Sequence, residues 1–265
     1  MPTSFEWLRD EDRQFHCQRR KNNYCQEHFH SNIEIVYVFD GEMDVTINGE
    51  TRRLGRGCSA IAGSFDTHLY HTPEFSDTAF LIIPLDMAPY YVKAVGSKRF
   101  ASPFLPAGPH SAEMEHTIGQ LRFHDLTCGN MIAMGYIHVL LGRFISLLEL
   151  VPGSCEGSNS LIRNLLFYLE NHYLSPVNIT ELSNQFGYNK FYISKSFNQA
   201  IRCSIPEYVN MLRARHAARL IQTSSGSLVD ISAEAGFANV RAFNRAFHAL
   251  YGMTPSLYRK QHVNL

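Results

Sequence analysis

The sequence contains no Cys-x-x-Cys pair; its cysteines, Cys17, Cys25, Cys58, Cys128, Cys155 and Cys203, are scattered along the chain. That scatter argues against a zinc ribbon and fits reduced thiols. The first twelve residues are polar and acidic, without the apolar core of a secretory signal. The most apolar stretch, Met131 to Val151, is interrupted by His138, Arg143 and Glu149, and reads as a packing helix rather than a membrane span. A cytoplasmic protein with no membrane partner is expected. Net charge is also absent, with 24 Lys/Arg against 24 Asp/Glu. The balance hides an asymmetry. Residues 159–265 carry eleven basic and five acidic side chains, whereas residues 1–158 carry thirteen and nineteen. A basic half on an otherwise acidic chain suits a polyanion partner for that half. At 265 residues the chain fits two domains, each large enough for a core.

What is present is a pattern that occurs twice in the last hundred residues. One copy runs from Ile179 through Gly187 and Asn189 to Ala200; the other runs from Val229 through Gly236 and Asn239 to Leu250. Each reads as a short amphipathic helix, a glycine–aromatic turn and a second helix opened by an asparagine suited to N-capping. This is the sequence form of a helix-turn-helix, whose second helix can enter a DNA major groove. One αα-hairpin is weak evidence; two copies with their glycines forty-nine residues apart are stronger. In the first reading helix Ile193 and Phe197 are expected to face inward, leaving Lys190, Phe191, Ser194 and Lys195 for the groove. In the second, Phe243 and Phe247 take the inward role, and Val240, Arg241, Asn244 and Arg245 face out. Arginine can donate two bonds to guanine, and asparagine suits adenine. A helix over Glu207–Thr223 lies between the motifs, and Leu161–Tyr173 precedes them as an amphipathic helix packing through Leu161, Leu165, Phe167, Tyr168 and Leu169. Seventeen residues span roughly 25 Å, which helps hold two readers near the ~34 Å repeat of successive major grooves.

From about Leu161 to Lys260 the chain resembles the arabinose-activator (AraC) family of bacterial transcription regulators. The resemblance is carried by Arg213-x-x-x-Ala217-x-x-Leu220-Ile221, Asp230-Ile-Ser-x-x-Ala-Gly236-Phe237, Phe243-x-Arg245-x-Phe247 and Gly252-Met-Thr-Pro255-Ser-x-Tyr258-Arg259. It implies double-stranded promoter DNA and RNA polymerase as partners, with base contacts from the eight outward residues named above. One departure is Arg202, where the counterpart in the second motif is Gly252. A left-handed helix cap is easier for glycine, so an altered helix end is expected there.

Residues 14–85 read as short strands separated by tight-turn signals such as Asp40-Gly41 and Asn48-Gly49. An antiparallel barrel or sandwich is expected. His28, His30 and Glu34 share one parity, so an unbroken strand would project all three from one face, followed by Val36 and Val38. His68 lies beyond the turn at Gly63-Ser64, where a neighbouring strand could return it to the same place. Here the chain resembles the cupin superfamily. His28-x-His30-x-x-x-Glu34 followed by Gly41 matches the first cupin motif, and Gly57 and His68 stand at the separation of the second, with Gly63 and Phe65 replacing its internal Pro and Gly. The four side chains can serve either an organic effector or a divalent transition metal. No cofactor is required by this reading. Tyr37 and His71 are expected to be packing and surface residues.

The expected architecture is a two-domain protein, β followed by α. A cupin-like effector barrel occupies 1–105, with a helical dimerisation hairpin over 106–151. A linker covers 152–159, and an all-α domain over 160–265 carries helix-turn-helix motifs at 179–200 and 229–250. Within the hairpin, one helix over Ser111–Asp125, a turn at Thr127–Asn130 and a second helix over Met131–Leu150 are expected. Ile137, Leu140, Leu141, Phe144, Leu147 and Leu148 form an apolar stripe suited to a homodimer. The function expected is a transcription regulator, an activator by resemblance, answering to a sugar or related carbon source. The alternatives are a metal or redox sensor, or a metal-dependent cupin enzyme tethered to a DNA-binding tail. An enzyme is not expected, since no separate acid/base pair is identifiable.

Overall fold

A computed structural model of the protein describes residues 4–5, 15–96, 98–122, 131–152 and 158–262. The chain divides into two compact units, residues 1–154 and 155–265. The expected turn at Thr127–Asn130, the end of the helix beyond Arg122 and most of the linker lie outside the described residues.

The first unit contains two five-stranded sheets. One is ordered β1 (Ser4–Phe5), β3 (Tyr24–Phe29), β8 (His68–His71), β5 (Met43–Ile47) and β6 (Glu50–Leu54). The other is ordered β11 (Phe104–Leu105), β7 (Ser59–Ala62), β4 (Ile33–Gly41), β9 (Ser76–Ile83) and β2 (His16–Lys21). Strand β4 is buried on both sides, which explains its near-continuous apolar run. Its odd-numbered side chains, Ile33, Ile35, Tyr37 and Phe39, join a core with Ile118, Ile137, Leu140 and Phe144 from the helices. Its even-numbered Val36 and Val38 enter a separate core with Val45, Ile47, Ala60, Tyr70 and Phe80. Glu34 therefore stands on the barrel-interior side. Tyr37 is a packing residue, as expected, and its hydroxyl donates to the Ser111 carbonyl at 3.2 Å. His71 is a surface residue.

Helices α1 (Pro89–Val95), α2 (Ser111–Leu121) and α3 (Met131–Leu147) follow the strands. The short α1, which opens on a proline at a position where no amide hydrogen is missed, was not anticipated. The second hairpin helix ends at Leu147 rather than Leu150. Leu150 instead opens β12 (Leu150–Pro152), paired antiparallel with β10 (Lys98–Phe100), so backbone hydrogen bonding overrides helical periodicity there. Phe104–Leu105, beyond Pro103, still pairs with β7 and closes that sheet's edge.

The second unit is helical: α4 (Ser158–His172), α5 (Ile179–Phe186), α6 (Lys190–Ile201), α7 (Ile205–Thr223), α8 (Leu228–Glu234), α9 (Val240–Tyr251) and α10 (Pro255–His262). Helix α4 packs through Leu161, Ile162, Leu165, Leu166 and Leu169, whereas Phe167 is exposed, contrary to expectation. At 100° per residue Phe167 stands about 160° from Leu169 and off the inward stripe. Helix α7 opens with a capping box between Ser204 and Glu207. Its Arg213 donates to the carbonyls of Tyr173 and Ser175 at 2.6 and 2.8 Å. Gly236, at φ +85°, packs so closely on that segment that a Cβ would stand 2.6 Å from the Leu174 oxygen. The segment 173–175, which leads into the first helix-turn-helix motif, is thus held by α7 and by the turn of the second motif. No helix among the described residues is long and apolar enough to cross a membrane.

Candidate effector site and nucleic-acid interface

The sequence-predicted barrel residues meet, but by a different route from the one parity suggests. Strand β3 ends at Phe29 and β4 begins at Ile33, so no single strand carries all three. His28 pairs across β3 and β8 with His68, and Glu34 comes from the other sheet. His30 lies in the crossover between the sheets. All four side chains are buried, and the ligand atoms they offer lie within 4.8 Å of one another. The His28 and His68 rings are in edge contact at 4.1 Å between centroids.

Backbone carbonyls fix two of the imidazoles. His28 Nδ1 faces the Gln26 oxygen, and His68 Nδ1 faces the Asp66 oxygen, each at 2.8 Å. Those bonds place the proton on Nδ1, which leaves the Nε2 lone pair for a ligand. His30 Nε2 lies 3.0 Å from Glu34 Oε2, and His68 Nε2 lies 3.6 Å from the same oxygen. Burial alone pushes the Glu34 carboxyl upward; the His30 and His68 contacts outweigh it and hold the group well below the usual carboxylate range. For His68, burial favours the neutral ring, and the Glu34 carboxylate overrides it and raises its pKa. His30 Nδ1 is a buried nitrogen with no hydrogen-bond partner.

The donor set fits a divalent transition metal. Donors held ~2.1 Å from one ion lie at most ~4.2 Å apart, so the cluster needs to contract by roughly half an ångström. Three imidazoles and one carboxylate suit zinc, manganese, iron or nickel, which would be held by His28, His30, Glu34 and His68.

In the second unit, the asparagines that open the reading helices act as N-caps. Asn189 accepts from the Tyr192 amide and Asn239 from the Ala242 amide, each at 2.8 Å. Ile193, Phe197, Phe243 and Phe247 are fully buried. Phe191, Lys195, Arg241, Asn244 and Arg245 are exposed, and Ser194 is partly exposed. Lys190 and Val240 are also exposed, but stand in the first turn near the angle of the inward stripe. Phe191, Ser194, Lys195, Asn198, Gln199 and Arg202 line a shallow hollow on the first reading helix. Asn198 and Gln199, together with half-exposed Tyr192, extend the outward face beyond the sequence reading; their helical angle was the available signal. Arg202 caps its helix at φ 64°, ψ 14°, and Gly252 caps the other at φ 67°, ψ 3°. The expected alteration of that helix end does not occur, because the Arg202 amide still donates to the Asn198 carbonyl.

Comparison with known proteins follows the same division. The cupin domain family matches residues 19–84, and a helix-turn-helix domain family matches residues 182–261. The chain is 23% identical over 240 residues to the Msm operon regulatory protein of Streptococcus mutans, covering 88% of this chain and 86% of that protein. It is 27% identical over 104 residues to the HTH-type transcriptional activator AarP of Providencia stuartii, covering 39% of this chain and 77% of AarP. It is 27% identical over 99 residues to the regulatory protein SoxS of Escherichia coli K12, covering 37% of this chain and 92% of SoxS.

A cupin domain followed by paired helix-turn-helix motifs defines a DNA-binding regulator rather than an enzyme. The chain combines a cupin domain with a helix-turn-helix domain of the AraC type and is similar to transcription regulators, which bind double-stranded DNA.

Proposed function

We propose that this regulator responds to a divalent transition metal held by His28, His30, Glu34 and His68, and that metal occupancy changes how the helical unit engages promoter DNA. The observation that carries the reading is the convergence of four buried donors within 4.8 Å. A single oxygen bonded to two groups lets them stand ~5.6 Å apart, so the cluster has the dimensions of one atom's partners. An ion supplies a new charge at the junction of the two sheets, and so a differential free energy between conformations. A sugar is the second reading. It is favoured by the rings of His68, Tyr70 and Phe80 beside the carboxylate, an apolar wall with a few polar groups. A sugar ring requires these side chains to move apart; an ion does not.

Promoter contacts are assigned to Lys190, Phe191, Ser194, Lys195, Val240, Arg241, Asn244 and Arg245. A homodimer through α3 cannot use most of the expected stripe, since Ile137, Leu140, Leu141 and Phe144 are buried in the first unit's core. It is assigned instead to the exposed face of Met131, Ile132, Gly135, Val139, Gly142, Ser146 and Leu147, with Arg143 and its Glu113 partner at its edge. Activation through RNA polymerase, in the cytoplasm, completes the reading.

The test is metal analysis of the purified protein beside a thermal-shift screen of sugars. Near-stoichiometric metal, lost in His30→Ala, is the expected result. Metal-free protein stabilised by one sugar, by ~2.7 kcal/mol at a hundred times its dissociation constant, would move the second reading to the front.

A further inference from the structure

The N-cap asparagines bring the two reading helices into register, and the register exposes a chemical difference. Phe191 stands where the second helix has Arg241, Tyr192 where it has Ala242, and Gln199 where it has Ala249. Phe191 is 76% exposed, the most exposed aromatic ring among the described residues. Beside it Tyr192 stacks on Tyr188, with ring centroids 5.3 Å apart and planes within 20°. The first reader thus opens on an aromatic surface, followed along the same hollow by Lys195, the Gln199 amide and, at the helix end, Arg202, while the Asn198 amide is turned to the Ser194 and Cys203 carbonyls. The second opens on Arg241, Asn244 and Arg245, and its one exposed outward ring is the imidazole of His248, with no exposed Phe or Tyr. Neither reading helix contains an acidic residue.

The major groove has one apolar landmark, the thymine methyl group, and one strong double acceptor, guanine O6 and N7. An exposed phenyl ring matches the first, and the Gln199 amide matches adenine beside it. Guanidinium groups match the second. We infer that the two readers recognise different base classes. The first reads an A·T segment through Phe191 on thymine methyls, and the second reads guanine through Arg241 and Arg245. The operator for one chain is therefore chemically asymmetric, which fixes the direction in which the protein sits on it. This inference rests on the DNA-binding reading of both helices.

The test begins with duplexes selected by the full chain from a random pool. Thymines are then replaced one at a time by deoxyuridine, which loses only the methyl, and guanines by 7-deazaguanine, which loses N7. Binding is followed by fluorescence anisotropy. Deoxyuridine in one half should weaken wild-type binding about fourfold per contacted methyl. Phe191→Ala should bind more weakly and lose that sensitivity, whereas Phe191→Leu should retain part of it. In the other half 7-deazaguanine should cost wild type about fivefold or more, and Arg241→Ala or Arg245→Ala should remove the effect. Equal enrichment of guanine in both halves would overturn the inference, as would deoxyuridine sensitivity that persists in Phe191→Ala. Phe191→Ala binding that matches wild type would also overturn it and assign the ring to a protein contact. Failure to enrich any sequence would instead refute the DNA-binding reading beneath it. Circular dichroism confirms that the variants, all at exposed positions, keep their helices.

Discussion

Replacing Gly236 by alanine should cost far more stability than the same change at Gly187, although both close the turn of a helix-turn-helix. Both residues occupy the left-handed region, at φ +85° and +73°. Holding alanine there costs ~1–2 kcal/mol at either site. At Gly187 nothing lies within 4 Å of the added methyl. At Gly236 the methyl would stand 2.6 Å from the Leu174 oxygen and 3.1 Å from Arg213 Nε. Relieving that overlap moves the backbone, at ~1–3 kcal/mol, and strains the Arg213 bonds to Tyr173 and Ser175. The expected losses are ~1–2 kcal/mol for Gly187→Ala and ~2–5 kcal/mol for Gly236→Ala, against a domain stability of ~5–15 kcal/mol. Urea unfolding followed by far-ultraviolet circular dichroism measures the difference. Equal midpoints for the two variants would refute the idea that the turn of the second motif is locked against residues 173–175.

Arg202→Gly should stabilise the protein by ~1 kcal/mol, since it keeps the left-handed cap and removes the steric cost; a fall in the urea midpoint would show that the arginine makes a compensating contact. Val139→Glu, which places a carboxylate in the apolar exposed face of α3, should convert a sedimenting dimer to monomer, and unchanged sedimentation would place the dimer contact elsewhere. Burial pushes the thiols of Cys17 and Cys203 up to about 11 from the ordinary 9.0, the former against an opposing effect of Arg122. At pH 8 their thiolate fraction is then about a hundredfold below that of a free thiol, and it should grow only as pH approaches the raised value. Peptide mapping after brief iodoacetamide treatment should find both unmodified, and prompt labelling would contradict their burial.

Much of the helical unit was legible because its signals are local. Asn189 and Asn239 cap the helices they precede, and Gly187 and Gly236 take up the positive φ that the turns require. The alternation of β4 was also readable, since the even-numbered residues that include Glu34 do face the barrel interior. Long-range pairing was not readable. His28, His30 and Glu34 meet through a sheet-to-sheet crossover and the pairing of His28 with His68, which local parity cannot encode. The β10–β12 ribbon was hidden because Leu150 continues an apolar periodicity that only a distant strand interrupts. Phe167 is hydrophobic without being buried, and its helical angle points outward. The outward roles of Tyr192, Asn198 and Gln199 were present in the same angle.

Metal in the buried cluster, if it is the signal, must be coupled to DNA binding. The direct measurement is the affinity of the full chain for a selected duplex, with and without a chelator, on protein whose metal content is known. Metal removal should change the affinity at least fivefold, on the order of 1 kcal/mol of coupling, and His30→Ala should abolish the difference. Metal-loaded and metal-free protein binding the same duplex with equal affinity would contradict it.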